Sequence, residues 1–428
     1  MDGRLPPRIP VEAYPARRAR LADALGDGHA LVVATHAEAL HAHDVHHRFR
    51  PHNDFWYLTG FGEPHSILVL LGGSGESHLF LDERDPKQEI WTGRRLGVER
   101  AKDTVGVDHA HPISDLDRRL ADLVKGHTVQ VVAEHDPRMQ ERIRNTIGEI
   151  PDGCPLLAEA RCIKDADEVA MMQAAADAGM AGHLAAFPEL RAGRNERHAE
   201  AAFLHAIRMA GSEGPGYPPI VGTGPNAAVL HYIDNAAQIA PGDLVLMDAG
   251  CEWGYYNSDI TRTVPADGEW TSLQREIYAT VLAAQDAAIA KVRPGNRFRD
   301  PHDAAVEVLV QGLTDLGILD GDADKALDAE VHGDFYMHGT SHYLGLDVHD
   351  PGRTRDADGK SRVLEPGMAL TIEPGLYFNP DYAPLPNGVP SLGIRIENDL
   401  VVTTEGHRDL TAALARDPDE LAALVRGN

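Results

Sequence analysis

The sequence predicts an α+β protein in two domains, a smaller α/β domain over residues 1–160 and a larger domain over residues 161–428. Three observations carry this. A chain of 428 residues exceeds what one hydrophobic core ordinarily serves. In the first third, short apolar runs alternate with helical stretches, the pattern of an α/β unit. Beyond Asp165 the pattern changes to long helices interleaved with paired strands.

In the first domain Ala30–Ala34, Ser66–Leu71, His78–Leu81 and Thr128–Ala133 are apolar runs bounded by Gly, Asp or Pro, as buried strands are. Helical patterns cover Pro15 to Leu25 and Ile113 to Val124. Pro151-Asp-Gly-Cys-Pro155 is a loop signal, and the domain boundary is expected in the loop before the next helix, near residue 160. That helix opens at Asp165, where Glu168 three residues on completes a capping-box pattern, and runs to about Phe187. Further helices are expected over Asn195–Ala210 and Thr271–Val292. Another opens at Asp300-Pro301, read as an N-cap followed by proline at the first helical position. Paired strands are expected around 244–264, 368–377 and 392–403, and no internal period marks a repeat architecture.

Composition excludes several classes of function. Hydrophobic content of 43% and charged content of 25% are those of a globular protein in water. A formal net charge of −26 repels phosphates, so neither nucleic acid nor an anionic membrane surface is an expected partner. Cys154, Cys162 and Cys251 lack C-x-x-C spacing, form no disulfide framework and fit a reducing compartment. Met1 to Pro10 has no apolar targeting core and no later stretch is long enough to span a bilayer, so the cytoplasm is the expected location.

Four segments carry chemistry. Leu244–Asp248 and Tyr255–Val264 read as strands joined through Trp253-Gly254. If those two residues form the turn, Asp248 falls directly opposite Asp259, with Cβ atoms about 5 Å apart on one sheet face. Carboxylates that close repel, and a cation would remove the conflict; aspartates pointing into water are the alternative. The segment from His338 through His342 to His349 places three histidines within twelve residues, amid glycines that let backbone approach a ligand. One neutral imidazole among carboxylates is a common ligand arrangement, with ordinary loop or core histidines as the alternative. Met368–Glu373 ends an apolar run in a glutamate before Pro374-Gly375. In Gly393–Asp399, alternation sends Ile394 and Ile396 one way and Arg395, Glu397 and Asp399 the other. A glutamate in a buried strand is costly unless coordinated or paired, and a neighbouring arginine could serve Glu397 in place of a metal.

These segments share the order and wording of one family. Leu-Met-Asp-Ala-Gly-Cys at 246–251, Ser-Asp-Ile-Thr-Arg-Thr at 258–263, Met-His-Gly-Thr-Ser-His at 337–342, Gly-Leu-Asp-Val-His-Asp at 345–350, Thr-Ile-Glu-Pro-Gly-Leu-Tyr at 371–377 and Gly-Ile-Arg-Ile-Glu-Asn-Asp at 393–399 resemble aminopeptidase P and prolidase. Those are proline-specific peptidases of the pita-bread fold. Asn53–Phe61 and Glu89–Gly97 are similar to aminopeptidase P in particular. The resemblance implies a curved antiparallel sheet covered by helices and two divalent metal ions. Asp248 and His342 would each serve mainly one ion, Asp259 and Glu397 would bridge, and Glu373 would bind the ion that His342 binds. Such an oxygen-rich set suits Mn²⁺, with Co²⁺ or Zn²⁺ as alternatives. Two ions about 3.5–4 Å apart can hold a bridging hydroxide near neutral pH.

The resemblance also implies roles around the metals. Glu373 would shuttle a proton to the leaving proline nitrogen, and His231 and His349 would touch substrate or the tetrahedral intermediate. His338 and Tyr377 would line the proline pocket, with Arg395 supporting the site from behind. Trp91 would help close the cleft, from its own or a neighbouring subunit of a homodimer or homotetramer; an ordinary core tryptophan is the alternative. The implied substrate is a peptide with proline in second position, cut at the Xaa-Pro bond.

Prolidase, a dipeptidase using the same metals, is the nearest rival, and the aromatic N-terminal segments favour the aminopeptidase. A non-catalytic binding protein on the same scaffold is a rival of another class, against which the five intact ligand positions argue. Gly214–Gly224 is shorter than the aminopeptidase P pattern and lies just before His231, where it would reshape the pocket for the residue preceding proline. His36, His41, His43, His46, His47 and His52 read as a solvated loop, because no carboxylate or cysteine spacing accompanies them; an accessory metal or pH-sensing site is the alternative.

Overall fold

The computed structural model describes residues 8–427 apart from 152 and 387. The N-terminal stretch before residue 8 and Asp152 of the 151–155 loop signal lie outside the described residues. The chain divides into two compact units, Ile9–Arg161 and Cys162 onward.

The first unit is built on a five-stranded mixed sheet of β1 (His29–Ala34), β2 (Ile67–Leu71), β3 (Ser77–Leu81), β4 (His109–Pro112) and β5 (Thr128–Val132), in the order β4-β3-β2-β1-β5. β2 runs antiparallel to β1 and β3, whereas β4 and β5 add in parallel to β3 and β1. Strands β1 and β2 are buried on both faces, which is why they read as unbroken apolar runs and not as alternation. Val32, Val69 and Phe80 meet Leu116 and Leu120 of the helix Leu116–Leu123 and Met139 and Ile143 of the helix Pro137–Ile147. Strand β4 has no apolar signal in His-Ala-His-Pro; its pairing with β3 is what makes it a strand. The stretch before Asp165, expected as a loop, is helical over Pro155–Cys162. Pro155 opens it, at a position where a missing N–H loses no helical bond, and Leu157 anchors it by burial.

The second unit carries four long helices, Ala166–Ala186, Glu196–Ala210, Ser272–Ile289 and Asp300–Asp315. The first is capped by the reciprocal Asp165 and Glu168 bonds that the sequence signals, and Asn195 and Thr271 cap the next two. At the fourth, Asp300 is the first helical residue and not the cap; its carboxylate instead accepts from Arg297 N at 2.8 Å, securing the turn that leads in.

The strands of this unit form small antiparallel sheets. β6 (Gly214–Pro215), β9 (Cys251–Trp253) and β10 (Tyr256–Asn257) make one. β7 (Ile220–Thr223), β8 (Leu244–Asp248) and β11 (Thr261–Pro265) make a second, with β8 central. β12 (Ala369–Ile372), β15 (Asn398–Val402) and β16 (His407–Asp409) form a third, and β13 (Gly375–Phe378) pairs with β14 (Leu392–Arg395). Single bonds stitch them together: Glu397 N donates to Thr261 O at 3.1 Å and Ile396 N to Pro374 O at 3.3 Å. Gln285, wholly buried on the helix Ser272–Ile289, donates to Ile372 O and Ile396 O, the carbonyls just ahead of Glu373 and Glu397.

One register expectation is corrected. Trp253-Gly254 is not the turn: Trp253 pairs with Tyr256, and the corner is Gly254-Tyr255 with φ of 55° and 70°. Glycine takes the first left-handed corner position, and Trp253 stays in the strand, its ring against Gly211. Moving the corner by one residue shifts the register by two, so Asp248 faces Thr261 and not Asp259. An even shift preserves the face. Asp248 and Asp259 are diagonal neighbours on the same side of the hairpin.

Candidate metal centre

Five ligand candidates arrive from five places in the fold. Asp248 ends β8, Asp259 precedes β11, Glu373 follows β12 and Glu397 sits between β14 and β15. His342 lies in a loop stitched to β12 like an irregular strand, with Thr371 N donating to His342 O at 3.0 Å and Glu373 N to Thr340 O at 2.9 Å. His342 Nε2 stands 3.3 Å from Glu373 Oε1 and 3.4 Å from Asp259 Oδ2. Its Nδ1 faces Tyr343 O at 3.0 Å, which leaves Nε2 for a ligand. Donor atoms of Asp259, His342 and Glu397 all lie within 4.8 Å of one another.

The cluster opens into a cavity of about 290 Å³ lined by all five, together with His231, His338, His349 and Arg395. The His349 ring lies 4.4 Å from that of His342. Tyr377 is behind the wall: Arg395 Nη1 donates to its hydroxyl at 2.9 Å, and that hydroxyl meets His338 Nε2 at 2.8 Å. Burial and the Arg395 charge push the His338 imidazole down to about 3, so it is neutral, and its Nδ1 faces Gly339 O at 2.8 Å, which leaves Nε2 to accept this bond. Trp91 belongs to the first unit, on the helix Pro86–Thr92, and is not among the lining residues. It is 85% exposed, which removes the reading of a core tryptophan.

Electrostatics fit this site to cations. Burial, then neighbouring carboxylates, hold Glu397 well above the usual carboxylate range. Burial likewise raises Asp248 against the pull of Arg395, and pushes Glu373 up to about 7 against the pull of His342. Burial works to lower His342, but its bond to Asp259 and the Glu373 charge outweigh that and raise it to about 9. Asp399 Oδ2 accepts from Asp259 N at 3.0 Å, while its Oδ1 is buried without a partner. Crowded carboxylates of this kind ionise together only around positive charge. Oxygen donors with one imidazole fit hard divalent ions, and the ion-pair alternative for Glu397 is not what forms. Arg395 pairs with Asp248, while Glu397 Oε2 accepts from Thr261 Oγ1 at 2.6 Å.

Two participants were not singled out from the sequence. The Tyr217 hydroxyl meets Asp248 Oδ1 at 2.5 Å and also reaches Asp259 Oδ1. It comes from the Gly214–Gly224 segment, between Gly216 and Pro218-Pro219, a rigid setting that was its one available signal. Thr261 is the second, bonded to both Glu397 and Arg395. The histidine run divides. His41, His43, His46 and His47 are exposed, but they lie on and around a short antiparallel hairpin of Leu40–Ala42 and Val45–His46 and not in the expected loop. His36 and His52 instead pack against His135, the His52 ring stacked on it at 3.7 Å.

A cleft that gathers three buried carboxylates, the partly buried Glu373 and one imidazole at the junction of antiparallel sheets has the donor set that a metallopeptidase centre needs. Residues 170–404 match metallopeptidase family M24, and residues 14–132 match the aminopeptidase P N-terminal domain. The chain belongs to family M24, with the pita-bread domain following the aminopeptidase P type of N-terminal domain. It is similar to the Xaa-Pro aminopeptidase of Escherichia coli (strain K12), 38% identical over 97% of this chain and 98% of that one. The Xaa-Pro aminopeptidase of Haemophilus influenzae is 39% identical, over 98% of each. Among solved structures, Pseudomonas aeruginosa aminopeptidase PepP superposes with a TM-score of 0.93 at 39% identity, covering 98% of this chain and 99% of its own. Zinc-substituted Escherichia coli aminopeptidase P in complex with product gives 0.92 at 37% identity, with the same coverage.

Proposed function

We propose that this chain is an Xaa-Pro aminopeptidase, releasing the N-terminal residue from peptides with proline in second position. The observation that carries it is the five-ligand cluster opening beside the His338–Tyr377 wall, in a chain matched along nearly its whole length by proteins of that activity.

The Xaa-Pro bond has a tertiary amide nitrogen with no hydrogen, so a peptidase that grips that N–H loses a contact. Asp248, Asp259, His342, Glu373 and Glu397 would hold two divalent ions, which when bound would supply an activated water near neutral pH and polarise the carbonyl. By the family resemblance, Asp259 and Glu397 would serve both ions. Glu373 would also carry a proton to the leaving proline nitrogen. His231 and His349, both lining the cavity, donate where negative charge develops on oxygen. His338, which lines the cavity, receives the proline ring with Tyr377 bonded behind it, and Arg395 holds both Tyr377 and Asp248 in place.

The oxygen-rich ligand set supports Mn²⁺ as the native metal, with Co²⁺ or Zn²⁺ accommodated. Three buried cysteines, none in a disulfide, support a reducing, cytoplasmic location. The neighbouring exposed side chains of Ile90 and Trp91 support a homo-oligomer, dimer or tetramer. The test is hydrolysis by metal-stripped enzyme refilled with Mn²⁺, Co²⁺ or Zn²⁺, on matched Xaa-Pro dipeptides and Xaa-Pro-Yaa tripeptides. Tripeptides are expected to be cut faster. A strong preference for dipeptides makes the chain a prolidase, and inertness on every proline peptide returns it to a binding role.

A further inference from the structure

We propose that Glu76, His78 and His109 form a second metal site, for a zinc-type transition ion, at the edge of the sheet in the first unit. His78 on β3 and His109 on β4 are register partners in a parallel pair, so they share a face. Their rings stack at 4.6 Å with planes 15° apart. Glu76 precedes His78 by two residues and reaches the same side. Its Oε1 stands 3.2 Å from His78 Nε2 and 3.0 Å from His109 Nε2, and the three donor atoms all fall within 4.8 Å of one another.

A surface ion pair between Glu76 and His109 is the plain alternative, and it leaves His78 unexplained. His78 is 4% exposed, and its buried Nε2, 3.2 Å from Glu76 Oε1, makes no well-formed hydrogen bond. Its other nitrogen, Nδ1, faces His111 Nε2 at 3.2 Å. In the tautomer that donates Nδ1 to His111, Nε2 presents a lone pair, the arrangement by which an outer partner orients a metal ligand. Two imidazoles and one carboxylate, with a fourth position open to water, match zinc coordination. This set is richer in nitrogen than the catalytic cluster, so it favours Zn²⁺, Ni²⁺ or Cu²⁺ over Mn²⁺.

The ion would act as a staple. Strand β4 contributes only half-buried or exposed residues, so apolar burial does little to hold it against β3. A metal shared by Glu76, His78 and His109 would fasten that edge.

The test uses the full chain. Wild type, His109→Ala and Glu76→Gln are equilibrated with a zinc buffer, dialysed, and their metal content counted by mass spectrometry. Wild type is expected to hold one more zinc per chain than either variant, with Mn²⁺-supported peptidase rates equal in all three. The catalytic cluster contributes equally to each count, so equal zinc contents overturn the proposal. Hydrogen exchange on the wild type, which needs no variant, supplies the second reading. Adding Zn²⁺ to Mn²⁺-loaded protein is expected to slow exchange at His109–Pro112 at least about tenfold. Unchanged exchange there overturns the staple.

Discussion

Arg395 Nη2 stands 2.5 Å from Asp248 Oδ2, with both side chains buried. The same guanidinium gives Nε to Thr261 Oγ1 at 3.1 Å and Nη1 to the Tyr377 hydroxyl at 2.9 Å. One planar fork therefore holds a ligand carboxylate, the start of β11 and the pocket wall.

Arg395→Met leaves Asp248 buried without its cation, and the expected cost to the metal-free protein is about 3–5 kcal/mol. Chemical denaturation of chelated protein measures it. Arg395→Lys restores charge but not the fork, so it is expected to recover stability in part and kcat hardly at all.

Tyr217→Phe removes the hydroxyl shared by Asp248 and Asp259 while keeping the ring. One hydrogen serves one carboxylate at a time, so the loss is expected to be about 1–2 kcal/mol in metal-free protein. Metal loading neutralises both acids, and the difference between variant and wild type should then shrink. Equal losses with and without metal would show that the ring, not the hydroxyl, matters.

Every shift resolved at Asp248, Glu373, Glu397, Asp399 and His342 is upward. The folded, metal-free chain thus binds more protons there than the unfolded chain, and its stability falls as pH rises. The Glu373 contribution is complete below the ordinary carboxylate range and fades as pH climbs through about 7. That of His342 is complete below about 6.5 and is lost through about 9. The melting temperature of chelated protein is expected to drop steadily across this window. Mn²⁺-loaded protein should hold its melting temperature over the same range, because metal replaces those protons. A chelated sample that melts no lower than the loaded one would contradict both halves.

Gly250 lies across the hairpin from Asp259, and a Cβ added there would sit 1.7 Å from the Ser258 carbonyl oxygen. Backbone cannot yield as a side-chain tip does. Gly250→Ala is expected to cost about 3 kcal/mol and to displace Asp259, lowering bound Mn²⁺ as well as the melting point. Metal analysis beside a thermal melt checks both, and a stable, fully loaded variant refutes the steric argument.

Much of the fold was legible because its signals are local. Apolar runs marked β1, β2, β3 and β5, and the Asp165–Glu168 pattern marked the start of a helix to the residue. Strand β4 was hidden because its residues carry no strand preference and pair only because β3 offers an edge. The hairpin corner misled by one residue, since Trp253-Gly254 and Gly254-Tyr255 both offer a glycine and only packing of Trp253 separates them.

The amino-acid order settled which side chains share a face. Alternation fixes faces within a strand, and because the corner error moved the register by an even number, Asp248 and Asp259 stayed on one side. Motif wording settled the family. Folding alone brought Tyr217 between the two aspartates, Arg395 onto Asp248 across 147 positions, and His78 beside His109 and Glu76. Periodicity reports backbone geometry over a few neighbouring residues. Contacts between distant segments are selected by burial and charge, once the sheets have closed around them.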